Sequence, residues 1–309
     1  ILKHFTTLLY VAAAVSMLLV KTPLGVEVNG AKRWLGVGSL QFQPSEIAKI
    51  AVIVCLPYMV VKMGRKIATW KGMAFLAAAG GFLGFLAYWA TENLSTGIII
   101  CGITARMIFI SHPRTKTFLI AAAASMAVVA GGVALLVANI SVSDSSSFRI
   151  RRILVWLRPE EYSDSSAYQI IQALYAIGSG GFFGKGLGNS TQKLGAVPEA
   201  QNDMIFSIVC EELGIFGGAI ILILFAYLLY RLFFIAQNAP DLLGSLMVSG
   251  IFIHIALQVI LNVCVVINLI PTTGITLPFV SYGGTSIMFL MAEMGLALSV
   301  ARRIRFQET

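Results

Sequence analysis

Long apolar segments dominate the pattern of this chain, and most of them have the length of a bilayer-spanning helix. About 20 consecutive apolar residues cross the hydrocarbon core as an α-helix, whereas a membrane β-barrel shows short segments of alternating polarity. The pattern is of the first kind and predicts eight spans, at residues 5–20, 46–62, 72–90, 94–110, 117–138, 204–231, 242–270 and 284–301. The predicted fold class is therefore all-α, a polytopic integral membrane protein.

The composition supports a membrane protein and excludes an ordinary soluble domain. The 309 residues are 58% hydrophobic and 12% charged, and the mean hydropathy is +0.86. A soluble domain of this length needs far more charge on its surface. The cysteines lie in apolar segments without metal-ligand spacing, so we interpret them as small buried hydrophobic side chains. They are Cys55, Cys101, Cys210 and Cys264.

Basic residues in the short connections predict the orientation, because lysine and arginine accumulate on the cytoplasmic side. The connections rich in these residues are 62–71, 106–116 and the C-terminus at 302–305. The connections without them, 91–93 and 271–283, should face outward, and by alternation so should the long segment 139–203. The exception is the outward loop 21–45, which carries Lys21, Lys32 and Arg33. Either a substrate anion compensates for this charge or the placement is accidental.

The net charge of +8 has two readings. It suits anionic lipid headgroups or a pyrophosphate substrate, and it equally reflects the ordinary basic excess of cytoplasmic loops.

The outward segment 139–203 contains two helical patterns and a glycine-rich stretch. Apolar residues repeat at helical spacing over 149–159, which predicts an amphipathic helix with Trp156 as an interfacial anchor. A second helix is predicted at 168–177, followed by six glycines within residues 178–188 that exclude a regular helix. Neither the Walker pattern nor a dinucleotide fingerprint is present. We expect a tight re-entrant or surface loop that lines a lipid-facing cavity.

Asp203 is the acid best placed for chemistry, because it lies where the outward segment meets an apolar helix. Glu199 precedes it by one turn. A carboxylate there can act as a general base toward a sugar hydroxyl or as a ligand for a divalent cation. Position alone favours the simpler interpretation that Asp203 caps the helix.

Glu211 and Glu212 lie further along the same helix, where a charge is costly and is usually paired. We expect Lys49 to be the partner, with Glu46 near the interface, in an ion pair that is either structural or catalytic. His254 and Glu293 are isolated polar residues within spans, and we interpret both as structural hydrogen-bonding groups.

The last outward loop, NLIPTTGITLPFVSYGGTS, contains prolines and glycines that break helicity at membrane depth. Irregular backbone is tolerated there only when it is buried in protein or lines a cavity. Hydroxyl side chains such as Ser281 would then face that cavity. Physical reasoning alone therefore predicts a polar, basic-rimmed, outward cavity that opens to lipid.

Three segments resemble signatures of the SEDS family (shape, elongation, division and sporulation), typified by FtsW and RodA. They are GAKRWLGVGSLQFQPSEIAK at 30–49, the stretch from YQIIQALYAIGSGG to EELGIFG at 168–217, and NLIPTTGITLPFVSYGGTS at 268–286. The resemblance covers the whole chain and implies one membrane domain at 1–309, with 139–203 as its large extracytoplasmic loop. Members of this family usually have ten spans, so we expect this chain to lack the first two.

The resemblance implies a peptidoglycan glycosyltransferase that polymerises lipid II and releases undecaprenyl pyrophosphate. It implies the bacterial cytoplasmic membrane, an outward active site and a cytoplasmic C-terminus. Asp203 would be the catalytic carboxylate, as a base or with Mg²⁺ or Mn²⁺, and no organic cofactor is expected. The implied substrate-binding residues are Arg33, Lys49, Arg152, Lys193, Glu199 and Ser281. Glu46, Glu211 and Glu212 would support the site.

Finer features concern the role in the cell. Thr276 makes the last signature resemble FtsW more than RodA and favours a division role. Relatives usually carry Pro-Asp where this chain has Glu92-Asn93, so we assign that position no function. The implied partners are a class B penicillin-binding transpeptidase and other division proteins, and no nucleic acid. The rival interpretations are a lipid II flippase, which needs no general base, and a non-catalytic division scaffold.

Overall fold

The computed structural model describes residues 2–28, 31–37, 40–112, 148–157, 159, 165–194 and 197–304, together with 120, 123, 124, 127, 131 and 132. The predicted span at 117–138 therefore lies almost entirely outside the described residues.

Helices account for most of this described part and confirm the all-α fold class. In chain order they are α1 (Leu2–Leu19), α2 (Pro44–Met63), α3 (Trp70–Trp89), α4 (Leu94–Ser111), α5 (Phe148–Leu157), α6 (Ser165–Gly180), α7 (Ile205–Gln237), α8 (Leu242–Val266) and α9 (Gly284–Ala301). Within the residues searched, α2, α3, α4, α7, α8 and α9 are long and apolar enough to cross a membrane, and α1 is apolar over the shorter stretch Phe5–Leu19. The predicted spans at 46–62, 72–90, 94–110 and 284–301 match helix ends to within two residues.

The chain divides into two compact units. The first comprises residues 1–112, 221–260 and 275–309, and the second comprises 113–220 and 261–274. The expected single domain over 1–309 stays a prediction.

The helices of the first unit pack closely through small residues. A side chain at Gly84 would lie 2.9 Å from the sulfur of Cys101, and one at Gly97 would lie 3.0 Å from the carbonyl oxygen of Gly84. These glycines let α3 and α4 approach each other as small residues do in membrane helix pairs. In the same unit, His254 Nδ1 lies 2.8 Å from Glu293 Oε2, and both side chains are buried. Their expected structural hydrogen bonding is therefore observed.

Residues 25–28, 31–37 and 40–42 form a three-stranded antiparallel sheet that the hydrophobic pattern did not predict. The strands are β1 (Gly25–Val28), β2 (Ala31–Val37) and β3 (Leu40–Phe42). Val26 pairs with Trp34, and Leu35 pairs with Phe42. The short strands were obscured by the surrounding apolar spans. The Asn29-Gly30 pair between the first two strands is the residue pair most typical of two-residue hairpins and was the available signal.

The basic charge of the loop at 21–45, which the sequence predicts to face outward, has a partner within the protein. Lys21 Nζ lies 2.9 Å from Glu92 Oε1, and Arg33 Nη2 donates to the Glu92 carbonyl at 3.4 Å. Glu92, to which the sequence assigned no function, therefore supplies a negative charge beside the loop. A substrate anion is not needed to explain the position of Lys21.

Helix α7 is interrupted at Gly214, whose backbone angles are φ 72° and ψ −176°. Such a break leaves carbonyl and amide groups without helical partners, which is costly where no water is present. The segment 181–194, which we call the glycine-rich segment, provides those partners. The carbonyl groups of Glu211 and Glu212 accept from the amides of Lys185 and Gly186, each at 2.9 Å.

The same segment satisfies the amides that follow the break. Ile215 N donates to the Gly181 carbonyl at 3.0 Å, and Phe216 N donates to the Phe182 carbonyl at 3.1 Å. Helix α6 continues to Gly180, three residues beyond the predicted end at 177, so Gly178 and Gly180 are part of the helix. The glycine-rich segment is thus a tight loop, as expected. It bonds to α7 on both sides of the break, and Gly184 N donates to the Gly180 carbonyl of α6 at 2.8 Å.

Replacing Gly214 by alanine should destabilise the protein by about 3 kcal/mol, because the positive φ disfavours any other residue. A side chain there would also lie 2.2 Å from the Phe182 carbonyl oxygen. Thermal unfolding in detergent measures the change. Gly81→Ala in α3 is the matched control, since no atom lies within 4 Å of its added carbon. Equal unfolding temperatures for the two variants would contradict the constraint at Gly214.

Candidate functional site

Two groups of polar side chains lie in the second compact unit, one around Asp203 and the other around Glu211. Asp203 precedes the first residue of α7 by two positions, in a turn where Asn202 N donates to the Glu199 carbonyl at 2.9 Å. Its carboxylate Oδ1 accepts from Gln169 Nε2 of α6 at 3.4 Å. Its carbonyl accepts from Asn262 Nδ2 of α8 at 2.7 Å. Both the side chain and the backbone of Asp203 are therefore held by neighbouring helices.

Helix α5 carries Arg152, a basic group whose charge acts on Asp203. Trp156 Nε1 donates to the Asn268 carbonyl at 3.0 Å, and Arg152 Nη1 donates to the Thr272 carbonyl at 3.2 Å. These bonds tie the amphipathic helix to the loop that follows α8, so the indole N–H of the expected interfacial anchor is bonded to protein. Val155 of α5 is buried in one cluster with Ala167 and Ile170 of α6. Helix α5, which carries Arg152, is thereby fixed relative to α6, which carries Gln169.

The electrostatic surroundings raise the pKa of Asp203 to about 6. Burial is the largest cause, because it disfavours the charged carboxylate, and the charge of Glu199 adds to it. The backbone N–H of Asp203 and the positive charge of Arg152 act in the opposite direction. A carboxyl group with this pKa is ionised at neutral pH and remains basic enough to accept a proton.

The structure brings together three of the site residues expected from the sequence: Arg152, Glu199 and Asp203. It adds Gln169 and Asn262, which lie 34 and 59 residues away in sequence. The first of these lies within a quoted signature, but only the folded chain shows that its amide reaches the acid. Glu199 has a positive φ of 55°, and its carboxylate accepts a hydrogen bond from Asn202. That turn keeps its charge beside Asp203.

The other expected substrate-binding residues have their own partners. Lys193 Nζ lies 2.6 Å from Glu212 Oε1 and 2.9 Å from the Gly188 carbonyl. In the first unit, buried Lys49 pairs with Glu46 at 2.8 Å, one helical turn away. Ser281 Oγ accepts from the Leu277 amide at 2.7 Å and stabilises the turn before α9. Arg33 lies against Glu92, as described above.

Glu211 is the centre of the second group, and its side chain is fully buried. Its carboxylate accepts from Lys185 Nζ at 2.7 Å and from the Thr191 hydroxyl at 3.1 Å. The Ser190 hydroxyl and the backbone amides of Thr191 and Gln192 also donate to it. This one carboxylate therefore gathers the glycine-rich segment against α7.

The prediction that Lys49 pairs with Glu211 or Glu212 is wrong. The partners are Lys185 and Lys193, both from the glycine-rich segment. The prediction failed because it considered lysines within spans, whereas the loop folds back onto the break in α7.

The sequence leads us to expect a divalent cation at Asp203. Among the residues that the structure describes, no group of three or more His, Cys, Asp or Glu side chains can hold a metal ion. Among the described residues, Asp203 and Glu199 supply two carboxylates, which are fewer ligands than a cage of protein side chains needs. Carboxylate oxygens are ligands of the type that a magnesium-like cation takes, together with waters and substrate phosphate oxygens.

Comparison with known proteins reveals similarity along nearly the whole chain. Residues 1–305 match the model of the FtsW, RodA and SpoVE proteins, described as "Cell cycle protein". Stage V sporulation protein E of Bacillus subtilis (strain 168) is 41% identical over 306 residues, covering 98% of this chain and 81% of that protein. The probable peptidoglycan glycosyltransferase FtsW of Geobacter sp. (strain M18) is 33% identical over 307 residues, covering 98% of this chain and 80% of that protein.

Solved structures show the same similarity in three dimensions. A chain from a study of polymerization and crosslinking by a peptidoglycan synthase complex matches with a TM-score of 0.77 and 28% identity, covering 99% of this chain and 83% of that one. The rod shape determining protein RodA of Thermus thermophilus matches with a TM-score of 0.63 and 28% identity, covering 99% of this chain and 81% of that one.

Removing the charge of Glu211 should release the glycine-rich segment, because Lys185 loses its counter-charge and one accepting oxygen is replaced by a donor group. Breaking one side of a buried ion pair costs about 3 kcal/mol or more. Glu211→Gln should therefore speed amide hydrogen exchange across residues 181–194. Glu212→Gln is the matched control, since Glu212 and Lys193 are 14% and 33% exposed and their pair should contribute about 1 kcal/mol or less. Equal exchange in both variants would contradict the central role of Glu211.

Proposed function

The chain belongs to the FtsW/RodA/SpoVE family of multi-pass membrane proteins, and on that basis we propose that it is a peptidoglycan glycosyltransferase that polymerises lipid II. The observation that carries the proposal is Asp203. This acid is partly withdrawn from water, is held by Gln169, and has a pKa raised to about 6 beside a basic group. Relatives named as probable peptidoglycan glycosyltransferases support the reaction class.

In the proposed reaction, the sugar 4-hydroxyl of an incoming lipid II attacks the anomeric carbon of the growing glycan. The new glycosidic C–O bond forms as the bond to undecaprenyl pyrophosphate breaks, and the pyrophosphate leaves with the bonding electrons. The Asp203 carboxylate accepts the proton of the attacking hydroxyl. Positioned general bases contribute about 10²–10⁴ in rate, and we propose a contribution of this size for Asp203.

The leaving pyrophosphate needs positive charge nearby. Arg152 is the best supported candidate, because its charge already acts on Asp203. Lys193 is less suited, since its ammonium group is bonded to Glu212. Arg33, Lys49 and Ser281 are proposed as substrate contacts on the family motifs alone. Bound Mg²⁺ or Mn²⁺ at Asp203 and Glu199 would add charge to offset the pyrophosphate.

The cellular role and the partner are also part of the proposal. The Thr276 stretch favours septal synthesis with other division proteins, while the similar proteins include a sporulation protein, FtsW and RodA. The similar synthase complex supports a class B penicillin-binding transpeptidase as partner. The distribution of basic residues supports an outward active site and a cytoplasmic C-terminus.

Replacing Asp203 by asparagine should lower glycan formation from labelled lipid II by about 10²–10⁴, because the amide cannot accept the hydroxyl proton. Purified protein in detergent or liposomes is the assay. Asp241→Asn is the matched control, since Asp241 is half exposed and its nearest basic partner, Arg303, is 3.6 Å away. Wild-type polymerisation by Asp203→Asn would mean that Asp203 is not the base. A wild-type protein that forms no glycan would instead favour a flippase, which needs no base.

The rate of polymerisation should depend on the ionisation of Asp203. The raised pKa means that the carboxylate forms only as the pH passes about 6. The rate should therefore fall about tenfold per pH unit below 6 and be level above it, until another group titrates. Initial rates between pH 4.5 and 8 measure the profile. A rate that stays level down to pH 5 would mean that a group with this pKa does not act as the base.

A further inference from the structure

We infer that Gln169 is a positioning residue for Asp203, and the inference rests on the proposed function. Its amide fixes Oδ1 of the carboxylate and thereby presents Oδ2 to the attacking sugar hydroxyl. Gln169 lies on α6, outside the turn that carries the acid, so the two residues are joined only in the folded protein.

The orientation of the Gln169 amide is determined by two acceptors. Nε2 lies 3.2 Å from the Pro198 carbonyl and 3.4 Å from Asp203 Oδ1. Carbonyl and carboxylate oxygens accept only, so the amide nitrogen must face both of them. Each of its two N–H groups then has one acceptor. A rotation of the amide would place its oxygen against two acceptors, which is unfavourable.

The backbone that carries Gln169 is itself fixed. Ala167, Ile170 and Ala173 of the same helix are buried. Pro198 directly precedes Glu199, so the bond to its carbonyl also holds the turn that presents the Glu199 charge. One side chain therefore connects helix α6, the turn and the acid.

The amide places a neutral donor against one oxygen of the Asp203 carboxylate. Burial and Glu199 disfavour the charge, whereas the backbone N–H of Asp203 and the charge of Arg152 favour it. Asn262 of α8 is neutral and bonds the backbone carbonyl of Asp203. Gln169 adds a donor that does not titrate and bonds one oxygen only. The other oxygen is then the one that receives the proton.

Two substitutions separate positioning from packing. Gln169→Met keeps the length of the side chain and removes the donor, and it should lower kcat about tenfold while KM for lipid II changes little. Gln169→Glu keeps the shape and places a like charge beside Asp203. It should shift the acidic limb of the pH–rate profile upward by about one unit, with part of the lost rate recovered at higher pH.

Gln172→Glu is the matched control, because it adds the same charge to the same helix one turn away. Its acidic limb should stay within about 0.3 units of wild type, since the added charge does not replace the donor to Asp203. Unfolding temperatures of all variants show whether folding is retained. If Gln169→Glu and Gln172→Glu shift the profile equally, or if Gln169→Met lowers stability with no loss of kcat, Gln169 does not position the base.

Comparing Asp203→Asn with the Gln169 variants distinguishes failure of the positioning role from failure of the proposed base. If that variant is inactive while both Gln169 variants keep the wild-type kcat and pH profile, the base stands and the positioning role is lost. If Asp203→Asn polymerises normally, the proposed base itself is wrong, whatever the Gln169 variants show.

Discussion

The break in α7 at Gly214, and the way its backbone groups are satisfied, is the constraint on which the second compact unit depends. A helix that stops and restarts within an apolar environment must find partners for the groups it leaves open. The glycine-rich segment supplies them from both sides of the break, with Gly181 and Phe182 as acceptors and Lys185 and Gly186 as donors.

The buried Glu211 carboxylate strengthens this arrangement. Its desolvation is costly, and only the dense set of donors from residues 185–192 makes it favourable. The short N-terminal part of α7, before the break, is thus held by a loop that returns to it. Asp203 lies just before that part. The position of this acid therefore depends on backbone hydrogen bonds that are made about ten residues further along the chain.

Around Asp203, opposing interactions set the ionisation of the carboxyl group. Burial and Glu199 oppose its ionisation, while Arg152 and the backbone N–H favour it, and the result is a pKa of about 6. An intermediate pKa suits a general base. A carboxylate stabilised by many donors would be too weak a base, and a carboxyl group buried without donors would stay protonated at neutral pH. Gln169 fixes one oxygen of the carboxylate and Asn262 fixes the backbone carbonyl of Asp203, and neither side chain carries a charge.

The sequence predicted the features that depend on local pattern. Apolar length located the spans that the structure describes, and helical spacing located α5. The junction of loop and helix drew attention to Asp203, whose catalytic role stays a prediction. The strands β1, β2 and β3 were missed because they are short and lie between strongly apolar helices.

The partners of Glu211 and Glu212 were missed for a different reason. The prediction assumed that the helix is continuous and that the partner of these acids is a lysine within a span. Lys185 is 26 residues from Glu211, and its approach depends on the closure of the glycine-rich segment. Gln169 escaped notice in the same way, because nothing in its own neighbourhood indicates an acid 34 residues away.

The most direct test of this account is a titration of the Asp203 carboxyl group itself. Infrared difference spectra of wild type against Asp203→Asn, recorded with ¹³C-labelled aspartate in lipid, isolate its carboxylate band as a function of pH. We expect the band to appear with a midpoint near pH 6. A midpoint near 4, the ordinary value for an exposed aspartate, would contradict the electrostatic setting on which the proposed base depends.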